Sequence, residues 1–177
     1  MDAIPAITPF TEMYSESAPN ASQEMAMEPL VGTEEATVDD KGRIRLSVKK
    51  QDRLGEKFAL FHDPVGCILA LPRKVWRQKL HEILSQPASL FDRDIETRDV
   101  GSMSEDDISA DGQGRFVIPQ RMRDDLKLTP KSPVMIVGAI DRVEIWPKAD
   151  HDKFAAAKKA NAKARREMAE KGVLRAE

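Results

Sequence analysis

DGQGRFVIPQRMR, residues 111–123, has an upstream relative in DDKGRIRLSVKKQDR, residues 39–53. Aligning Asp39 with Asp111 also aligns Gly42 with Gly114 and Arg43 with Arg115, all at a spacing of 72 residues. In each stretch, Asp and Gly supply turn chemistry. An Asp carboxylate bonds backbone amides two residues on, and Gly tolerates a positive φ. A short alternating segment follows. Ile44, Leu46 and Val48 in the first copy, and Phe116 and Ile118 in the second, are expected to face a core; Arg43, Arg45 and Ser47 face away. A turn and half-buried strand laid down twice make an internal repeat the organising expectation.

The surrounding chain fits a β-α-β-β unit in each copy. Residues 30–38 read as extended, and Lys49–Leu54 as one or two polar helical turns. Lys57–Phe61 and Cys67–Leu71 read as a hairpin across His62–Gly66, because Pro and Gly punctuate a five-residue link. Pro72 is expected to open a helix with Val75, Trp76, Leu80, Ile83 and Leu84 on one face, stopped at Pro87. Residues 88–107 form a connector: Asp92–Arg98 reads as helical, Gly101, Ser102 and Ser104 break it, and Glu105-Asp106-Asp107 reads as a solvated helix end or loop. The second copy begins at Ile108. Pro119 ends its strand and starts a helix carrying Met122 and Leu126. Val134–Val137 and Val143–Trp146 form the second hairpin. Beyond Asp150 a helix of mostly Ala, Lys, Arg and Glu carries a thin stripe of Phe154, Ala157, Ala164 and Met168. The organisation is therefore an extension at 1–27, a first repeat at 28–87, a connector at 88–107, a second repeat at 108–157 and an exposed basic helical tail at 158–177.

Composition bounds the function. The 177 residues carry 41% apolar residues, enough for one modest core. Phe58, Phe61, Trp76, Phe116, Trp146 and Phe154 are its expected anchors. A single cysteine excludes an internal disulfide framework and suits a reducing cytoplasm. No apolar run approaches the roughly 20 residues of a membrane span. The net charge of -2 conceals an asymmetry: residues 1–36 hold seven acids and no Lys or Arg, leaving the remainder near +5. Residues 1–27 read as a disordered acidic extension, either a regulatory arm or an unselected tail. In the last helix Lys158, Lys159, Lys163, Arg165 and Arg166 make a basic run, read as a solvated face or a nucleic-acid contact. An enzyme is not supported. His62 and Cys67 flank one turn, but Cys67 begins an apolar strand, and His81 and His151 stand apart. There is no phosphate-binding loop, dinucleotide fingerprint or HExxH spacing. No cofactor or metal is implied.

The paired Asp-x-x-x-Arg motifs at Asp39–Arg43 and Asp111–Arg115 resemble those of the MraZ family, bacterial transcriptional regulators of the SpoVT/AbrB-like superfamily. Further matching pieces are Gly32 with Thr37–Arg43, Ile118-Pro119-x-x-Met122-Arg123, Cys67–Pro72 with Trp76, and the hairpin Val134–Gly138 through Arg142–Trp146. The first copy departs from the pattern: Ser47 stands where Pro is usual, and Met122-Arg123 has no clean counterpart. The resemblance implies an α+β fold of two tandem SpoVT/AbrB-like β-α-β-β repeats sharing one core. It implies a sequence-specific repressor of the division and cell-wall gene cluster, bound to double-stranded DNA at direct repeats in its own promoter. It further implies a ring-shaped homo-oligomer, cytoplasmic and nucleoid-associated, with no membrane partner. Neighbouring readings are an oligomeric interaction protein of the same fold without DNA binding and an antitoxin-like DNA binder. The latter are single halves that dimerise, whereas both halves lie in this chain.

The residues give this reading its chemistry. Arg43 and Arg115 each begin a strand after a Gly-containing turn, so their forks can bond guanine O6 and N7 or clamp a phosphate. Lys41 and Arg45 add positive charge around the first; Gln113 and Val117 hold those places in the second. Asp39 and Asp111, with Gly42 and Gly114, support the turns, since acids rarely touch phosphates. The competing reading is an Asp–Arg bridge that only staples each loop.

Overall fold

The computed structural model describes residues 28–85 and 90–170. The expected arm at 1–27, the stop at Pro87 and the end of the tail at 171–177 lie outside the described residues. The strands are β1 (Thr33–Thr37), β2 (Arg43–Arg45), β3 (Lys57–Asp63), β4 (Cys67–Pro72), β5 (Ser104–Ser109), β6 (Arg115–Val117), β7 (Pro133–Gly138) and β8 (Val143–Pro147). The helices are α1 (Val48–Leu54), α2 (Arg73–Ser85), α3 (Leu90–Ser102), α4 (Gln120–Asp125) and α5 (Lys148–Glu170). The class is α+β, with strand pairing antiparallel throughout.

Six strands form one sheet in the order β1-β7-β8-β4-β3-β5, and β2 and β6 form a separate two-stranded ribbon. The order reads alike from both ends. The early strand β1 pairs with the late hairpin β7/β8, and β5 pairs with the early hairpin β3/β4. The two hairpins meet in the middle, where Ile68 opposes Ile145. No half of the chain owns its own sheet.

Alternation along each strand sorts the residues onto two faces. Phe58, Leu60, Ile68, Ala70, Val134, Ile136, Val143 and Ile145 form the inner face, fully buried against Ile44 and Phe116 of the ribbon. Phe58 meets Phe116 edge to face, ring centroids 5.1 Å apart. Such a pair adds about 0.5–1.5 kcal/mol beyond the area it buries. The outer face carries Ala59 and Leu71 against Val75 and Trp76 of α2. Trp146 also lies on the outer face and stacks on Phe154 of α5 at 4.9 Å. The ribbon and α5 therefore lie on opposite sides of the sheet.

Several local expectations change. Val48 was expected inward, but the strand ends at Arg45, and Val48 opens α1 at 67% exposure. Leu46 stays buried, its N–H donating to the Gly114 carbonyl at 2.8 Å. Glu105-Asp106-Asp107, expected as a helix end or loop, lies in edge strand β5, where solvent accepts the charges and Lys57 bonds Asp107 at 2.8 Å. Ser104 starts this strand, and α3 runs through Gly101 to Ser102. Pro72 closes β4 instead of opening a helix. On α2, Val75 and Trp76 are buried and Leu84 is exposed. In α5, Lys158, Lys159 and Lys163 are exposed.

The missing first-copy counterpart of Met122 has a structural form. Lys50 stands 72 residues before Met122 and is buried like it, with its ammonium turned out to Glu34 at 3.4 Å. The aliphatic stem serves the packing while the head reaches a carboxylate. No helix among the described residues is long and apolar enough to cross a membrane.

Candidate nucleic-acid interface

The two Asp–Arg motifs fold into turns with the same hydrogen-bond pattern. Gly42 and Gly114 adopt φ of 72° and 75°, a region that costs other residues steric strain. Asp39 N–H donates to the Arg43 carbonyl at 2.8 Å, and Asp111 N–H donates to the Arg115 carbonyl at 2.8 Å. Asp39 Oδ1 accepts from the Lys41 and Arg43 amides, both at 2.9 Å. Its Oδ2 accepts from Arg43 Nε at 2.7 Å and lies 2.7 Å from Nη2. Asp111 repeats this with the amides of Gln113 (2.9 Å) and Arg115 (3.0 Å), and with Arg115 Nε and Nη2, each at 2.8 Å.

The stapling reading is thus realised in both turns, and it leaves both arginines accessible. Each guanidinium commits Nε and Nη2 to its own Asp, while the side chains keep 25% and 36% exposure. A fork held by a carboxylate on one edge presents the other edge in a fixed direction.

These contacts set the acidity of the carboxyls. The Arg43 guanidinium, followed by the Arg43 amide, holds Asp39 at about 2 against an ordinary 3.8. Arg115 does the same for Asp111, also to about 2. A carboxyl depressed in the folded chain contributes stability above its unfolded value and loses it as pH falls through the folded one. The bridges' contribution to the turns should therefore be constant above about pH 4 and be lost as pH falls from about 4 through 2. A carboxyl-carbon NMR titration should place both midpoints near 2. Midpoints at the ordinary 3.8 would show that the bridges do not persist in solution.

The ribbon joins the two motifs. Arg43 opposes Val117, Ile44 opposes Phe116, and Arg45 opposes Arg115. Ile44 and Phe116 point into the core, so Arg43, Arg45, Arg115 and Val117 share the outward face. Arg45 directly across from Arg115 is a like-charge pair, which destabilises an isolated strand pair. Neither Arg45 nor Lys41 has an acidic side-chain partner among the described residues. Three arginines on one face of a two-stranded antiparallel ribbon suit a polyanion, and such a ribbon fits the roughly 12 Å major groove of duplex DNA.

One contributor was not legible in the motif. Arg123, on α4, crosses to the first turn: a Cβ on Gly42 would sit 2.3 Å from its Cζ. Its Nε donates to the Ile118 carbonyl at 2.9 Å and its Nη2 to Gln120 Oε1 at 2.6 Å. Gln51 on α1, 72 residues earlier, crosses to the second turn in the same way and donates to the Asp111 carbonyl at 3.3 Å. The crossing is reinforced by Ile118 N–H to the Gly42 carbonyl at 3.0 Å. The first turn thereby gathers Lys41, Arg43 and Arg123. The second holds Gln113, Arg115 and Gln51. The imbalance expected from Lys41 and Arg45 alone is widened.

The catalytic alternative loses its nucleophile. Cys67 is buried, and desolvation pushes its thiol up to about 12. His62 lies 3.4 Å from Asp125.

A family model described as "MraZ protein, putative antitoxin-like" matches residues 103–172. The chain is 31% identical to the transcriptional regulator MraZ of Roseiflexus castenholzii over 135 residues, covering 75% of this chain and 90% of the relative. It is 30% identical to the transcriptional regulator MraZ of Caldanaerobacter subterraneus over 128 residues, covering 71% of this chain and 86% of the relative. The transcriptional regulator MraZ of a Thermoanaerobacter strain is 31% identical over 128 residues, with the same coverage of 71% and 86%.

Proposed function

The chain belongs to the MraZ family of transcriptional regulators, and from that premise we propose that it is a sequence-specific DNA-binding repressor. Its target is the division and cell-wall gene cluster, and it acts as a ring-shaped homo-oligomer on direct repeats in its own promoter, on the nucleoid in the cytoplasm. The observation that carries this reading is the outward ribbon face, where Arg43, Arg45 and Arg115 lie together despite their mutual repulsion. Lys41 completes the contacting set. Asp39, Asp111, Gly42 and Gly114 hold the turns in shape and stay off the phosphates.

The palindromic strand order supports reading 28–87 and 108–157 as two interleaved SpoVT/AbrB-like β-α-β-β repeats on one core. A single subunit then offers one narrow basic ribbon, too little for tight binding alone. A ring repeats that ribbon at regular intervals, and linked weak contacts raise the overall affinity without any new one.

A mobility shift with DNA from upstream of the gene tests this. Wild type should retard the fragment at low salt, and affinity should fall at least about a hundredfold between 50 and 200 mM salt, as expected for several neutralised phosphates. Light scattering of the same sample should give a closed oligomer. No shift at low salt defeats the repressor reading, and a monomer at micromolar concentration defeats the ring.

A further inference from the structure

We propose that Val117 is a specificity-determining residue that reads a thymine methyl group in the major groove, beside the base met by Arg43. The inference rests on the DNA-binding reading and adds to it which base an apolar side chain would select.

Val117 contributes little to the core. Its neighbours Phe116 and Ile118 are buried, whereas Val117 is 49% exposed. It occupies the outward face of the ribbon, where the other three outward residues are arginines. Its counterpart in the first motif is Arg45, so the two strands present different chemistry at matched positions. A high strand propensity accounts for a β-branched residue here, but threonine would satisfy that equally and remain at ease in water. An isopropyl group amid guanidinium groups gives this face one apolar contact point.

The major groove offers one apolar group, the C5-methyl of thymine; guanine, adenine and cytosine present hydrogen-bonding edges there. Arginine takes guanine O6 and N7 on the same groove wall. Val117 and Arg43 are directly opposed across the ribbon. Such neighbours stand about 5 Å apart at Cα, within reach of adjacent base steps. The pair is therefore matched to a thymine next to a guanine, and the ribbon's other pair, Arg45 and Arg115, reads no methyl group.

The test uses promoter DNA made with deoxyuridine in place of thymidine, which keeps every base pair and removes only the methyl groups. Wild type should bind the uridine fragment about threefold to fivefold more weakly per engaged subunit, the worth of one buried methyl. Val117→Ser, which has no methyl, should bind both fragments equally, and Val117→Thr, which keeps one methyl, should retain part of the preference. Because Val117 is half exposed, both variants should stay folded, with the melting temperature lowered by no more than a few degrees. A wild type that binds both fragments equally, or a Val117→Ser protein that still prefers thymidine, overturns the proposal while leaving DNA binding intact. A wild type that binds neither fragment overturns the DNA-binding reading and this proposal with it.

Discussion

Gly114→Ala is expected to cost the fold about 2–4 kcal/mol and to lower the melting temperature by about 4–16 °C. Two effects add. Gly114 adopts φ 75°, which an L-residue enters at a cost of roughly 1–2 kcal/mol. A Cβ there would also sit 2.7 Å from the Leu46 carbonyl oxygen, a backbone atom of the residue whose N–H is bonded to the Gly114 carbonyl. The same change at Gly42 makes an informative contrast. Its φ is 72°, but its obstacle is the end of the Arg123 side chain, which can swing away. Gly42→Ala should therefore lose only the backbone share, about 1–2 kcal/mol. Thermal melts of the two variants decide the matter: equal shifts, or none for Gly114→Ala, would mean that the turns do not cross as described.

The second large effect is on binding. Arg43→Ala and Arg115→Ala should each lower affinity for promoter DNA by at least about a hundredfold. One bidentate arginine–guanine pair is worth about 1–3 kcal/mol, and the proposed ring would lose it in every engaged subunit. Arg43→Lys and Arg115→Lys separate the causes. Lysine keeps the charge but lacks the planar fork, so it should rescue phosphate attraction and not base selection. Mobility shifts on promoter and unrelated DNA read both components. If the alanine variants bind the promoter as wild type does, the ribbon is not the interface.

Much of the local structure was legible because it depends on neighbours in sequence. The alternation around Ile44 and Phe116, the turn residues Asp39–Gly42 and Asp111–Gly114, and the hairpins at Pro64–Gly66 and Gly138–Arg142 all announce themselves within a few residues. What escaped was set by distant partners. The strand Ser104–Ser109 hides behind its acids, since an edge strand leaves them in water. Val48 keeps the alternating pattern although the ladder stops when Leu46 turns to bond Gly114. Arg123 gave no sign that its guanidinium lies against a glycine 81 positions away in the chain. The ribbon's basic face was legible through Arg43 and Arg115. The opposition of Arg45 to Arg115, and of Val117 to Arg43, required the register.

The interleaved sheet bears on how the chain is made. Strand β1 leaves the ribosome first among the described strands, yet its partner β7 follows about a hundred residues later, from Thr33↔Val137 to Thr37↔Pro133. At roughly 5–20 residues per second this is a wait of several seconds. During that interval the nascent hairpin β3/β4 presents Phe58, Leu60 and Ile68 with no second hairpin to cover them. Long-range pairing also folds slowly, because loop closure precedes its reward. Glu34 and Glu35 lie within the waiting strand itself, and charged side chains on an unpaired strand disfavour pairing with other copies. Newly made chains should consequently bind a chaperone until the last hairpin emerges.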